Sequence, residues 1–141
     1  MNLLHPYFNN YPFAGFVHRG GNEEKTENTL EAFQHASDLG FIFMETDVQA
    51  TNDGEIVVFH DNTLNRLAGV DKKISDLSSY EIRNIDLING GRIPSLNELL
   101  SSFPNLRFNI DIKTNDAVGK SIDIINQHTA FNRVCLAAFS S

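Results

Sequence analysis

The sequence has little basic charge, a single cysteine and no long apolar run. Its 141 residues include 11 Lys and Arg against 18 Asp and Glu, which gives a formal net charge of -7. This acidic balance argues against the broad phosphate-binding face that DNA- and RNA-binding domains present, so no nucleic-acid partner is expected. It leaves room for a small anionic substrate that one or two local cations hold.

With Cys135 as the only cysteine, no intrachain disulfide can form, and a reducing, cytoplasmic location is expected. The thiol stands in an apolar run, 134–138, which predicts a buried and unreactive side chain. The first ten residues have neither the basic segment nor the apolar core of a secretory signal. No stretch reaches the roughly 18 apolar residues of a membrane-spanning helix, so no membrane span is expected.

What the sequence does have is an alternation of apolar strands and amphipathic helices. Strands that alternate with helices imply right-handed crossovers and a parallel sheet, which is an α/β fold. We predict a lead-in segment over 1–13 and one domain over 14–141. Strands are predicted at 14–20, 41–48, 106–113 and 133–140. Helices are predicted at 28–39, at 95–103 and from just after Asp116 to about 127, with a further short helix starting at Ser78.

Three of the predicted helices start with a capping residue that is followed three positions later by glutamate. These pairs are Asn28 with Glu31, Ser78 with Glu81, and Ser95 with Glu98. Between the second strand and the helix at 95, an Asn52-Asp-Gly54 turn and an extended segment over 55–60 predict a hairpin-like excursion.

Glu45 and Asp47 end a buried strand at spacing two, so their side chains lie on the same face. Two like charges about 4 Å apart repel by roughly 4 kcal/mol at an effective dielectric constant near 20. Either a cation therefore lies between them or one of the carboxyl groups stays protonated. The Asp-Gly turn is expected to bring His60 back toward this pair.

Polar residues of complementary chemistry follow three predicted strands, and the carboxyl ends of parallel strands share one edge. Oxygen ligands without cysteine favour Mg²⁺ or Ca²⁺, arginine and lysine suit phosphate oxygens, and histidines suit proton transfer near neutral pH. Together these groups indicate phosphodiester cleavage. They are His18 and Arg19, Glu45 and Asp47, and Asp111 and Lys113, with His60 returning from the excursion.

Each of these groups also has a structural alternative when it is taken singly. Glu45 and Asp47 fit a solvated strand end, and His18 fits a histidine that hydrogen bonds satisfy. Asp111 and Lys113 fit a surface ion pair worth well under about 1 kcal/mol. Their joint position at strand ends is what favours a functional site.

Seven short motifs, in this order and spacing from about residue 14 to the last residue, resemble the glycerophosphodiester phosphodiesterase family. The motifs are His18-Arg19-Gly20, Glu27-Asn28-Thr29-Leu30, Glu45-Thr46-Asp47-Val48, Asp53-Gly54, Val57-Val58-Phe59-His60-Asp61, Arg92-Ile93-Pro94-Ser95-Leu96 and Asn109-Ile110-Asp111-Ile112-Lys113.

The resemblance implies a TIM-type (β/α)8 barrel that hydrolyses a small-molecule glycerophosphodiester to sn-glycerol 3-phosphate and an alcohol. It also implies roles for the residues: His18 and His60 as the acid–base pair, Arg19 and Lys113 as phosphate contacts, and Glu45, Asp47 and Asp111 as ligands of Mg²⁺ or Ca²⁺. A short loop between the second strand and its helix is expected, as in bacterial members.

Two features depart from the family pattern. Asp111 stands where the family usually has glutamate, which is one methylene longer. A TIM barrel needs about 250 residues, so the chain is expected to form the N-terminal half, about four β/α units, with open edges. A second copy in a homo-oligomer or a missing C-terminal half would complete the barrel.

Two other functions remain open. One is a phospholipase D-type or lysophospholipase D-type lyase on the same barrel, which the expected short loops disfavour. The other is a catalytically silent half-barrel that acts as a metal-binding or association module.

Overall fold

The structure, a computed structural model, describes residues 16–21 and 25–138. The strands are β1 (Phe16–His18), β2 (Phe43–Ala50), β3 (Ile56–Val58), β4 (Thr63–Leu64), β5 (Val70–Lys73), β6 (Arg107–Ile112) and β7 (Val134–Ala138). The helices are α1 (Leu30–Asp38), α2 (Asn65–Ala68), α3 (Ser79–Arg83), α4 (Leu96–Ser102) and α5 (Val118–Gln127). The predicted lead-in, 1–13, lies outside the described residues.

Four parallel strands form the centre of the molecule in the order β1-β2-β6-β7, and helices connect them. The α/β class and the parallel sheet predicted from the sequence are therefore confirmed. The parallel pairing of β2 with β6 ends at Val48, and the last residues of β2 pair antiparallel with β3. The predicted hairpin-like excursion begins with this antiparallel pair.

The two faces of the sheet differ because side chains alternate along each strand. One face packs against α1, α4 and α5, and buries Met44, Phe108 and Ile110 completely. Phe33 of α1 lies at the centre of this core, with edge-to-face contacts to Phe103 and Phe108. The opposite face of β2 and β6 carries the polar side chains of the candidate site.

The connection between β2 and α4 is long, which corrects the expected short loop. Residues 51–95 contain β3, the two-stranded β4–β5 sheet, α2 and α3, and they build a second apolar core. Val57, Phe59 and Ile74 are among its buried residues. Because the apolar residues of this segment follow no single period, the sequence did not reveal that they pack together.

The predicted helix starts at Ser78 and Ser95 are confirmed as capping boxes with Glu81 and Glu98. The start predicted at Asn28 is wrong by one residue. Thr29 is the N-cap of α1, and its Oγ1 accepts a hydrogen bond from the backbone N–H of Ala32.

The prediction of a buried final strand is also wrong. Val134 is buried, but the other residues of β7, including Cys135, are exposed. The physical reason is position, because β7 is an outer strand of the described sheet and lacks the cover that central strands have. Within 16–21 and 25–138, no helix is long and apolar enough to cross a membrane.

Candidate active site

Three carboxylates converge on the polar face of the sheet. Glu45 and Asp47 come from β2, and Asp111 comes from β6, where its Cα pairs in register with that of Asp47. One carboxylate oxygen of each of these residues lies within 4.8 Å of the others. The spacing of two on β2 and the parallel register with β6 are together what produce this cluster.

The close approach of the three carboxylates changes the pKa of Glu45. Its burial, followed by the charges of Asp47 and Asp111, raises the pKa of Glu45 to about 7. The Oε2 atom is buried and has no hydrogen-bond partner, although it lies 3.2 Å from His18 Nε2, a contact that is close enough for an ion pair but not aligned as a hydrogen bond. A buried oxygen without a hydrogen bond, beside two more carboxylates, fits a hard divalent cation.

Asp47 is the most buried of the three carboxylates, with 1% of its side chain exposed. Asn28 Nδ2 donates a hydrogen bond to it at 3.3 Å, and two cationic nitrogens lie at ion-pair distance, Lys113 Nζ at 3.2 Å and Arg19 Nε at 3.5 Å. The repulsion between Glu45 and Asp47 is therefore relieved in two ways. Lys113 and Arg19 place positive charge beside Asp47, and the raised pKa of Glu45 keeps its carboxyl group protonated up to about neutral pH.

Arg19 and Asn28 are held in place through their backbones. Both have positive φ angles, 54° and 58°, a conformation that non-glycine residues adopt at a cost. The N–H of Arg19 donates to the carbonyl of Glu45 at 2.7 Å, and the N–H of Asn28 donates to the carbonyl of Arg19 at the same distance. The next residue, Gly20, lies so close to Phe33 that an added Cβ would come within 3.0 Å of its ring.

The two proposed catalytic histidines have different carboxylate neighbours. His18 projects beside Glu45 with 67% of its side chain exposed. His60 follows β3, and its Nδ1 lies 3.0 Å from Oδ1 of Asp61. The buried amide of Gln49 donates to the carbonyls of Phe59 and Asp61 and so fixes the backbone on both sides of His60.

Charged residues without a predicted role link the two histidine-bearing segments. Glu27, with 3% of its side chain exposed, accepts from both Arg19 and Arg66, and Arg66 also binds Asp61. Burial raises the pKa of Glu27, but bonds and charge from Arg66 and Arg19 outweigh burial and leave the pKa lowered. The hydrogen bond from Arg66 is the main cause of the lowered pKa of Asp61.

The sequence contained partial signals for these residues. Glu27 and Asp61 belong to two of the seven motifs, beside Asn28 and His60, so their positions pointed to the site without showing a role. Arg66 lies in the irregular part of the excursion, and no periodicity or spacing marked it.

The motif order, the parallel sheet and the carboxylate cluster agree with a comparison to known families. The family model described as "Glycerophosphoryl diester phosphodiesterase family" matches residues 18–139. The chain belongs to this family.

Curated relatives in the glycerophosphoryl diester phosphodiesterase family are substantially longer than this chain. A "Probable glycerophosphodiester phosphodiesterase 2" of Mycobacterium tuberculosis is 39% identical over 125 residues, which are 88% of this chain and 47% of that protein. "Lysophospholipase D GDPD1" of Homo sapiens is 41% identical over 114 residues, 72% of this chain and 36% of that protein. The chain thus spans less than half the length of each of these two relatives.

Solved structures of the family share the fold. A glycerophosphodiester phosphodiesterase from Agrobacterium tumefaciens superposes with a TM-score of 0.83 at 26% identity, over 89% of this chain and 57% of that one. An Oleispira antarctica phosphodiesterase, solved in complex with the product sn-glycerol-3-phosphate, gives a TM-score of 0.81 at 25% identity, again over 89% and 57%. The predicted partial TIM-type barrel is confirmed by these superpositions.

Proposed function

We propose that this chain carries the catalytic half of a metal-dependent phosphodiesterase that hydrolyses glycerophosphodiesters to sn-glycerol 3-phosphate and an alcohol. The observation that carries the proposal is the convergence of three carboxylates, two cations and His18 on one sheet face. Family membership supports the same reaction class. The relatives named glycerophosphodiester phosphodiesterase support it further.

In this proposal Glu45, Asp47 and Asp111 hold a divalent cation. Their separation, the burial of Asp47 and the unbonded Oε2 of Glu45 fit such an ion. Carboxylate oxygens suit both Mg²⁺ and Ca²⁺, so the proposal includes either. When bound, the ion offsets negative charge that develops on the phosphoryl oxygens.

The protein's own residues supply binding and proton transfer. Arg19 and Lys113 flank Asp47 and present positive charge where the phosphate of the substrate would lie. Water adds to phosphorus and the bond to the alcohol oxygen breaks. One histidine of the pair His18 and His60 takes a proton from that water, and the other gives a proton to the departing alcohol.

The test is hydrolysis of glycerophosphocholine in the presence of Mg²⁺ or Ca²⁺, with release of sn-glycerol 3-phosphate as the readout. His18→Ala is expected to lower the rate by at least about a hundredfold, since general acid–base catalysis contributes that much or more. Asp47→Asn is expected to lower the rate as well, because it removes a charged ligand from the proposed cation site. His35→Ala, on α1, is the matched control. An active chain whose rate is unchanged by His18→Ala would refute the assignment.

A lysophospholipase D activity is the second candidate, because a human relative of that name is 41% identical over 114 residues. The long excursion over residues 51–95 also removes the short-loop argument against larger substrates. Lysophosphatidylcholine is the discriminating substrate, with free choline as the readout. A lyase, the alternative reaction on this barrel, would instead leave a cyclic phosphate that ³¹P NMR detects.

The third candidate is an association module that binds a cation without turnover. It is supported by the outer position of β1 and β7 in the described sheet and by the exposed side chains of β7. Light scattering after size exclusion would show whether copies of the chain associate.

The domain limits at 14–141 and the cytoplasmic location stay predictions.

A further inference from the structure

Arg66 lies outside the parallel sheet, on the short helix α2 of the excursion. It nevertheless binds Glu27, which contacts Arg19, and Asp61, which contacts His60. Its guanidinium makes four hydrogen bonds to two carboxylates. Two run to Glu27, at 2.8 and 3.0 Å, and two run to Asp61, at 2.8 and 3.1 Å. Both contacts are bidentate, an arrangement that the planar fork of arginine permits and the single nitrogen of lysine does not.

The Glu27 end leads to the phosphate side of the site. Oε2 of Glu27 accepts from Arg66 Nη2 at 3.0 Å and from Arg19 Nη1 at 3.1 Å, so two guanidinium groups share one buried oxygen. Arg19 in turn lies 3.5 Å from Asp47 through its Nε. The direction in which Arg19 points is thus set by a carboxylate that Arg66 holds in place.

The Asp61 end leads to His60. Oδ1 of Asp61 lies 3.0 Å from His60 Nδ1 and accepts from Arg66 Nη2 at 3.1 Å. An ionised carboxylate can only accept, so His60 must donate from Nδ1. In the neutral imidazole this leaves Nε2 as the acceptor nitrogen, the atom that exchanges a proton with a substrate or water.

We propose that Arg66 is a positioning residue that fixes Arg19 and His60 relative to each other by hydrogen bonding to Glu27 and Asp61 at the same time. This inference rests on the function proposed above for Arg19 and His60. Glu27 and Arg66 are 39 positions apart in the chain, so their ion pair also connects the excursion to the end of the sheet. The hydrogen bonds of Arg66 run to Glu27 and Asp61, so it acts on Arg19 and His60 through these two partners.

The experiment compares Arg66→Met and Arg66→Lys with the wild-type chain, using two readouts that do not require turnover. One is the tautomer of neutral His60, read from ¹⁵N-labelled imidazole spectra at about pH 8, well above the ordinary histidine pKa. The other is the affinity for sn-glycerol 3-phosphate by titration calorimetry. Arg83→Met is the matched control, since Arg83 lies in the same excursion and pairs with a single carboxylate, that of Glu55, at 3.3 Å.

Wild type is expected to show one tautomer, with the proton on Nδ1, whereas both Arg66 variants are expected to populate two. Both are also expected to bind sn-glycerol 3-phosphate about tenfold more weakly, the equivalent of one hydrogen bond to a charged group. The Arg83 variant should match wild type. Should Arg66→Met fail to fold, Arg66→Lys carries the same readouts, because it keeps a positive charge beside Glu27.

Three results would overturn the proposal: both readouts unchanged in the Arg66 variants, a change at only one end, or full retention of both by Arg66→Lys. The last would show that charge alone suffices and that the fork is not needed. A failure of the proposed function is recognised separately, because it removes hydrolysis from the wild-type chain while the tautomer of His60 still reports on Arg66.

Discussion

Replacing Glu45 by glutamine is expected to stabilise the cation-free protein at and above neutral pH and to leave its stability unchanged in acid. The pKa of Glu45 is about 7 in the folded protein, against 4.5 for an ordinary glutamate. Between these values the folded protein keeps a proton that the unfolded chain has lost. The free energy of unfolding therefore falls as the pH rises from 4.5 to 7.

The size of this effect follows from the same two values. Their difference corresponds to about 3 kcal/mol, reached once the pH exceeds both. The burial of the Glu45 carboxyl group is the largest cause of this difference, followed by the charges of Asp47 and Asp111. Glutamine occupies the same space without a charge, so Glu45→Gln abolishes this pH dependence while keeping the packing.

Urea unfolding in EDTA, followed by circular dichroism between about pH 4 and pH 8, measures the difference directly. The stability gain of Glu45→Gln should be near zero at the acid end and grow to about 3 kcal/mol at the alkaline end. The exposed Glu31, replaced by glutamine in the same way, is the control. A difference between wild type and Glu45→Gln that does not vary with pH would refute the reasoning.

Three further predictions concern the scaffold around the site. Gly20→Ala should destabilise the protein by about 1–3 kcal/mol in urea unfolding, because φ is 74° and the added Cβ would press on the ring of Phe33; an unchanged midpoint would contradict this close approach. Ser95→Ala should cost about 1 kcal/mol in thermal unfolding, since it removes the hydrogen bond to the N–H of Glu98; no loss would mean that the cap is dispensable. Cys135 should react readily with a maleimide when the chain is monomeric, because β7 is exposed, and a monomer that resists labelling would contradict the exposure.

Several parts of the site were predictable because they depend on short-range patterns. Spacing two on a strand places Glu45 and Asp47 on one face, whatever the rest of the fold does. A capping residue followed by glutamate at the third position marks a helix start, as Ser95 and Glu98 confirm. The alternation of strands and helices was enough to predict a parallel sheet, and with it the meeting of Asp111 and Asp47 across β2 and β6.

Other features were decided only by tertiary structure. Asn28 looked like a helix cap, but its side chain donates to Asp47 and accepts from Thr46, so Thr29 caps α1 instead. The apolar run around Cys135 predicted burial, but the outer position of β7 leaves the thiol exposed. In each case a local pattern was outweighed by a neighbour that is distant in sequence or by the lack of cover on an outer strand.

The sequence by itself determined which chemistry the strand ends of this protein present: carboxylates at spacing two, cations beside them and a histidine brought back by a turn. Only the tertiary structure decided how those groups are held. The link from His60 through Asp61, Arg66 and Glu27 to Arg19 joins segments far apart in the chain, and no periodicity records such a contact. The physical reason is that periodicity reflects which face of one element is buried, whereas ion pairs between elements depend on where the folded chain brings them together.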